Sequence, residues 1–170
     1  RALVFIALDK LNNQGLQQAI VVVPERSIGG SFADEALTQH GFYWDWQVAP
    51  QWNLCNAPGI DEPRVARSKV EAVKKFLASE DKVLVCTHAT FRFAVEELGI
   101  QAFDNRLIAV DEFHHVSANP DNKLGSQLGA FIARDKVHVV AMTGSYFRGD
   151  SEAVLAPSDE GRFETVTYTY

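Results

Sequence analysis

Four short runs of apolar and mostly β-branched residues alternate along this chain with longer amphipathic stretches. The runs lie at residues 19–23, 82–86, 107–110 and 137–142. Each has the length of one strand and is nearly continuously apolar, which is typical of a strand that is covered on both faces. Strands that alternate with helices indicate a parallel, doubly wound sheet. The pattern therefore predicts an α/β protein in which a mostly parallel sheet lies between two layers of helices.

The stretches between these runs show the apolar spacing of helices. We predict helices near residues 2–11, 28–38, 65–79, 89–98 and 123–133, with Ser27 as the cap of the second. In the first, Val4-Phe5-Ile6 is also compatible with a buried strand. Residues 43–48 and 163–170 alternate like strands, and residues 50–63 indicate a loop. The residues predicted to face the core are Leu3, Ala7, Leu8 and Leu11 in the first helix, Val70, Val73, Phe76 and Leu77 in the third, and Leu124, Leu128, Phe131 and Ile132 in the last.

Composition limits the classes of function. A chain of 170 residues that is 46% hydrophobic can bury one sizeable core, so we expect one compact domain. The net charge of -6 and the pI near 5.3 oppose a role that needs a globally basic surface, although local phosphate contacts are compatible with them. Cys55 and Cys86 have no metal-ligand spacing, and Cys86 lies in an apolar run where a buried, reduced thiol is expected. No stretch is long and apolar enough to span a bilayer, and we expect a cytoplasmic protein.

Polar residues follow each of the four apolar runs. In open α/β sheets the ligand crevice lies outside the carboxyl ends of the strands, so these residues are predicted to line one site. They are Pro24-Glu25-Arg26-Ser27, Thr87-His88, Asp111-Glu112-Phe113-His114 and Thr143-Gly144-Ser145.

Adjacent carboxylates after a buried strand suit a magnesium ion that keeps several waters, so Asp111 and Glu112 are candidate ligands. The alternative is that they only cap a following helix and that His114 and His115 are ordinary polar residues. Thr87 can cap the next helix and leave amides for a phosphate. Arg26 could add a direct ionic contact.

Small residues follow Arg26 and favour close approach of a phosphate to the backbone. Gly29 and Gly30 carry no side-chain bulk at the predicted helix start. The alternative is an ordinary strand-to-helix turn in which Ser27 is only an N-cap.

In this order the four segments resemble motifs Ia, Ib, II and III of superfamily 2 helicases and translocases, in their first RecA-like motor domain. The Asp-Glu-x-His form at residues 111–114 is similar to the DExH branch, which includes the ATPase subunits of type I and type III restriction enzymes and DNA repair helicases. The resemblance covers most of the chain, and motif II carries most of its specificity. It implies a RecA-like, three-layer α/β/α fold of the P-loop NTPase type.

The resemblance also implies roles for individual residues. Asp111 would hold the Mg²⁺ of ATP through water, and Glu112 would orient and deprotonate the attacking water. His114 would relay the state of the nucleotide to motif III, here Thr143, Gly144 and Ser145, in which glycine replaces the usual alanine. The nucleic acid, DNA in the restriction and repair branch, would contact Arg26, Ser27, Gly29, Gly30, Thr87 and His88.

No G-x-x-x-x-G-K-[ST] phosphate loop occurs in the 170 residues. The resemblance therefore implies that residues 1–150 form a partial first motor domain that lacks this loop. Residues 151–170 would extend toward an absent second motor domain. We expect a parent protein driven by ATP, and negligible ATP hydrolysis by the 170 residues alone.

Two other hypotheses remain open from the sequence. One is a metal-dependent hydrolase built on Asp111, Glu112, His114 and His115. Adjacent histidines are expected to point in different directions, which argues against a shared zinc ion. The other is a noncatalytic α/β module that binds nucleic acid.

Overall fold

The computed structural model describes residues 2–56, 63–116, 123–144 and 155–166. Its helices and strands are, in chain order, α1 Ala2–Asn13, β1 Gln18–Val23, α2 Arg26–Gly29, α3 Pro63–Leu77, β2 Val83–Thr87, α4 His88–Leu98, β3 Arg106–Val110, α5 Lys123–Arg134, β4 His138–Ala141 and α6 Pro157–Glu160. Short 3-10 turns lie at Gly30–Phe32, Leu37–His40, Pro50–Trp52, Ile100–Phe103 and Phe113–His115. No helix within these ranges is long and apolar enough to cross a membrane.

The four strands form one parallel sheet in the order β2-β1-β3-β4. Val22 of β1 lies opposite Cys86 of β2 and Val110 of β3. Because all strands run in the same direction, their carboxyl ends meet at one edge of the sheet. The predicted parallel α/β architecture is confirmed.

Alternating side chains of the strands enter two separate cores. Ile20 and Val22 of β1 face one core, and Ala19, Val21 and Val23 face the other. Helices α3, α4 and α5 cover the first face, and α1 together with residues 32–48 covers the second. The three-layer prediction is therefore confirmed. Of the residues predicted to face inward, Leu11 and Leu77 are partly buried and the following are fully buried: Leu3, Ala7, Leu8, Val70, Val73, Phe76, Leu124, Leu128, Phe131 and Ile132.

The prediction for residues 26–48 was wrong in two places. The helix expected at 28–38 is only the four-residue α2, its N-cap is Glu25 rather than Ser27, and no side chain caps it. Residues 43–48 form no strand, since only Trp46 pairs, through one isolated bridge with Glu35. The fully buried indole of Trp46 donates a hydrogen bond to the Phe32 carbonyl at 3.1 Å. The conformation of residues 43–48 is therefore fixed by burial of the Trp46 side chain and not by the backbone hydrogen bonds of a strand.

The strand expected at residues 163–170 is also absent where the structure describes it. Residues 164–166 are irregular, and Val166 is 87% exposed. Alternating side chains form a strand only when a partner edge or a core face is available. Residues 167–170 lie outside the described ranges.

A polar network fastens the amino end of the sheet to α3. The buried amide of Gln18 donates to the carbonyls of Phe76 at 2.7 Å and Asp81 at 2.9 Å. Arg106 donates to the Gln18 side-chain oxygen at 2.7 Å and to the Leu77 carbonyl at 2.9 Å. These bonds satisfy buried polar groups at the amino end of the sheet. The candidate site lies at the opposite, carboxyl end.

The outer edge of β2 is covered by the segment around Asn53. Asn53 forms a parallel bridge with Val85, and the Leu54 amide donates to the Val85 carbonyl at 2.9 Å. This segment presses Cys55 against α2, where a Cβ built on Gly29 would lie 2.4 Å from the Cys55 Cβ. Gly29 is therefore required for close packing.

Replacing Gly29 with Ala is expected to lower the free energy of unfolding by about 1–3 kcal/mol, because a core that is already filled must move to accept the methyl group. Gly30→Ala is the matched control, since a Cβ there meets nothing within 4 Å. Chemical denaturation of both variants checks this. Equal stability of the two would contradict the close approach to Cys55.

Candidate functional site

The turn that follows β3 is held in place by both neighbouring strands. The amide of Asp111 donates to the Val22 carbonyl of β1 at 2.9 Å, and the amide of Phe113 donates to the Met142 carbonyl beyond β4 at 2.8 Å. Between them, Glu112 adopts the left-handed conformation, with φ 50 and ψ 52. This conformation costs a non-glycine residue about 1–3 kcal/mol and persists only where the surroundings fix it. The constrained turn therefore fixes the position of the Glu112 backbone from which the carboxylate extends.

Three of the predicted residues meet at this turn. His114 Nδ1 lies 3.1 Å from Glu112 Oε2 and 2.9 Å from Thr143 Oγ1. Because an ionised carboxylate only accepts, the contact with Glu112 requires a proton on Nδ1. The side chain of Glu112 is 37% exposed, so one carboxylate edge remains open to solvent or ligand. The arrangement connects the end of β3 to the end of β4 through side chains.

Asp111 lies beside this group and is half-buried. Burial raises the pKa of its carboxyl, and the neighbouring charge of Glu112 raises it further, against the effect of a hydrogen bond from the Glu112 amide. Two adjacent carboxylates of this kind are stabilised by a hard divalent cation, which favours oxygen ligands and retains water. The donor set of Asp111 and Glu112 therefore fits Mg²⁺.

Thr87 and His88 connect β2 and α4 to the same edge. Thr87 is the N-cap of α4, and its hydroxyl accepts the Thr90 amide at 3.2 Å. The capping role predicted for Thr87 is confirmed. The ring of His88 does not extend freely into solvent, because Nε2 lies 3.1 Å from the carbonyl oxygen of Asp111. The pKa of His88 is lowered, mainly because the ring is partly buried.

The residues predicted after β1 lie toward the segment that covers β2. Arg26 Nε donates to the Cys55 carbonyl at 2.9 Å, and Gly29 is buried against Cys55. Ser27 and Gly30 are exposed.

The predicted residues at the end of β4 differ in how far the structure describes them. Thr143 is half-buried and contacts His114, while Gly144 is exposed. Ser145 lies outside the described ranges.

The two adjacent histidines were expected to point in different directions, and that expectation was wrong. Both residues lie in the 3-10 turn after β3, and the ring centroids of His114 and His115 are 4.3 Å apart, with 36° between the ring planes. Among the described residues, no cluster of three or more histidine, cysteine, aspartate or glutamate side chains could hold a metal ion. The protein ligands of a zinc hydrolase are thus not assembled in this part of the chain.

The chain is similar to a bacterial protein named as a helicase. It is 53% identical, over all 170 residues, to the "Putative ATP-dependent helicase YeeB" of Bacillus subtilis (strain 168), and it spans 27% of that protein's length. No protein-family profile matches the chain, and no solved structure matches it.

Lys69 is a buried lysine that the sequence patterns did not single out. This side chain is 7% exposed on α3, and burial lowers its pKa, with the nearby charge of Arg26 adding to the effect. Lys69 shares a helical face with Val73 and Phe76, at a spacing of four and seven residues. That spacing was available in the sequence. The sequence contains no comparable pattern that would predict the close approach of Cys55 to Gly29.

Proposed function

We propose that the chain is part of an ATP-dependent helicase or translocase of the DExH type, in which residues 111–114 form part of the nucleotide site. The observation that carries the proposal is the contact of Glu112 with His114 and of His114 with Thr143. These contacts lie at the carboxyl end of a parallel sheet, where nucleotide-binding α/β proteins place their ligands. The similarity to a protein named as an ATP-dependent helicase supports the same assignment.

In the proposed mechanism, Asp111 would hold Mg²⁺ and Glu112 acts as the base. When bound, Mg²⁺ neutralises charge on the phosphates of ATP. Glu112 holds the attacking water at its exposed carboxylate edge and accepts a proton there. The constrained turn at Glu112 limits the directions in which that carboxylate can point, which favours positioning of the water.

His114 would transmit the state of the nucleotide. Its Nδ1–H faces two acceptors, Glu112 Oε2 and Thr143 Oγ1. If the carboxylate of Glu112 rotates to hold a water, the Nδ1–H of His114 donates mainly to Thr143. The contact at the end of β4 then changes with the state of the nucleotide site. Thr143, Gly144 and Ser145 would then couple hydrolysis to the grip on nucleic acid.

The proposed nucleic acid, DNA, is bound through its phosphates. α4 has eleven residues and begins at this edge, so the first amides of the helix favour an anion. Thr87 occupies only the amide of Thr90, which leaves the earlier amides of α4 outside the helical ladder. Arg26 adds positive charge from the end of β1. The four-residue α2 has little helix dipole, so the exposed Ser27 and Gly30 would contribute backbone contacts only, while Gly29 is buried against Cys55.

We propose that the phosphate-binding loop and the second motor domain lie in the remainder of a longer protein. The chain spans 27% of the related helicase-named protein, which leaves room for both. Among the described residues, β4 pairs only with β3, so its outer edge can accept a further strand. Residues 1–150 would then be part of the first motor domain, and residues 151–170 would lead toward the second.

A direct comparison of turnover tests this division. The purified 170 residues are expected to hydrolyse ATP negligibly with or without DNA, because Asp111 and Glu112 supply only half of a nucleotide site. The complete protein is expected to hydrolyse ATP under the same conditions. Measurement of released phosphate from both proteins decides the matter, and robust DNA-stimulated turnover by the 170 residues would contradict the proposal.

A further inference from the structure

His88 connects two parts of the candidate site that lie on different strands. It is the first residue of α4, directly after β2, yet its ring reaches the end of β3. In the sheet order β2-β1-β3, the side chain therefore extends across the end of β1. Its Nε2 lies 3.1 Å from the Asp111 carbonyl oxygen. A carbonyl only accepts, so Nε2 carries the proton and donates it.

The carbonyl of Asp111 belongs to the peptide unit that joins Asp111 to Glu112. The orientation of this peptide sets the φ angle of Glu112, which is +50. The amide of Asp111 is already fixed by the Val22 carbonyl at 2.9 Å. The bond from His88 fixes the carbonyl as well, so both backbone polar groups of Asp111 are held. A left-handed glutamate needs such support, because an unsupported peptide can flip to a conformation with negative φ.

We propose that His88 is a positioning residue that holds the Asp111–Glu112 peptide in place and thereby couples nucleic-acid binding at the start of α4 to the placement of Glu112. The inference rests on the proposed ATPase function. The backbone amide of His88 belongs to the first turn of α4, where a phosphate would bind. Its side chain contacts the nucleotide half of the site. Movement of the first turn of α4 on binding DNA therefore moves the donor that fixes Glu112.

The position of the ring distinguishes this role from direct DNA binding. The side chain is half-buried, and its Nε2–H is used by Asp111. A ring held in this way contributes less to DNA affinity than a permanently charged side chain such as that of Arg26. Loss of His88 is therefore expected to change how strongly DNA accelerates ATP turnover more than it changes how tightly DNA binds.

The test uses the complete protein with His88→Ala and His88→Gln. The glutamine amide can donate from nearly the same place as Nε2, so it serves as the conservative variant. His40→Ala is the control, because it removes an exposed histidine that lies far from His88 in the sequence. For each protein we would measure kcat and KM for ATP with and without DNA, the Kd for DNA without nucleotide, and thermal unfolding.

His88→Ala is expected to lower the ratio of DNA-stimulated to basal kcat by about fivefold, the effect of one hydrogen bond. The Kd for DNA should stay unchanged, and His88→Gln should restore most of the ratio. An unchanged ratio in His88→Ala would overturn the inference, as would a weaker Kd for DNA that accounts for the whole loss. If His88→Ala does not fold, a folded His88→Gln without stimulation overturns it. Absence of DNA-stimulated turnover in the unaltered protein would instead remove the proposed function itself.

Discussion

Replacing Glu112 with Gln in the complete protein is expected to abolish ATP turnover while ATP still binds. Glutamine keeps the size and the left-handed turn of Glu112 but cannot accept a proton from water. Removal of a general base typically lowers the rate by about 10²- to 10⁴-fold. Phosphate release measures kcat, and equilibrium binding of a labelled nucleotide measures affinity. The loss is expected in kcat with little change in the Kd for ATP.

Glu97→Gln is the matched control for this change. Glu97 is exposed on α4, and its replacement by Gln removes the same negative charge outside the candidate site. Its turnover should equal that of the unaltered protein. Full ATPase activity in Glu112→Gln would refute the role proposed for Glu112, and equal losses in both variants would indicate a general effect of charge.

Replacing Phe91 with Ala is expected to cause the largest loss of stability among single changes in the helical layer. Phe91 is fully buried, and its ring centroid lies 5.5 Å from that of Phe103 and 6.1 Å from that of Phe131. Truncation removes apolar contact and leaves a cavity between α4 and α5. Such a change costs about 3–5 kcal/mol in free energy of unfolding. Chemical denaturation gives the value.

Phe93→Ala removes the same atoms from the same helix and is the control. Phe93 is 41% exposed, with the guanidinium of Arg92 4.5 Å from its ring centre. Its truncation is expected to cost about 1 kcal/mol or less, since little core is lost. Similar losses in the two variants would show that the three buried rings do not anchor α4. Because α4 carries Thr87 and His88 at its start, this packing also supports the candidate site.

The regular elements were predictable because their apolar spacing is local. The four strands could be located from continuous apolar runs. The helices α1, α3, α4 and α5 could be located from side chains that recur every three to four residues, as in Val73 and Phe76 of α3. The irregular segment between α2 and α3 could not be located in this way. Trp46 and Cys55 are placed by contacts with residues that lie far from them in the sequence, Phe32 for the first and Gly29 for the second.

The candidate site was predictable in its location and less so in its contacts. Polar residues after strands indicated one edge, and parallel pairing brings Asp111 and Thr143 there. The sequence did not indicate that His88 contacts the Asp111 backbone, because that contact depends on the order β2-β1-β3. Nor did it indicate the left-handed turn at Glu112, a conformation for which glutamate has no local preference.

Steady-state ATP hydrolysis by the complete protein, measured as DNA is added, tests the central claim most directly. The proposed role of the Asp111 to His114 turn predicts turnover that requires Mg²⁺, rises to a plateau with DNA, and disappears in Glu112→Gln. Turnover that is absent at every DNA concentration, or that persists in Glu112→Gln, would contradict it.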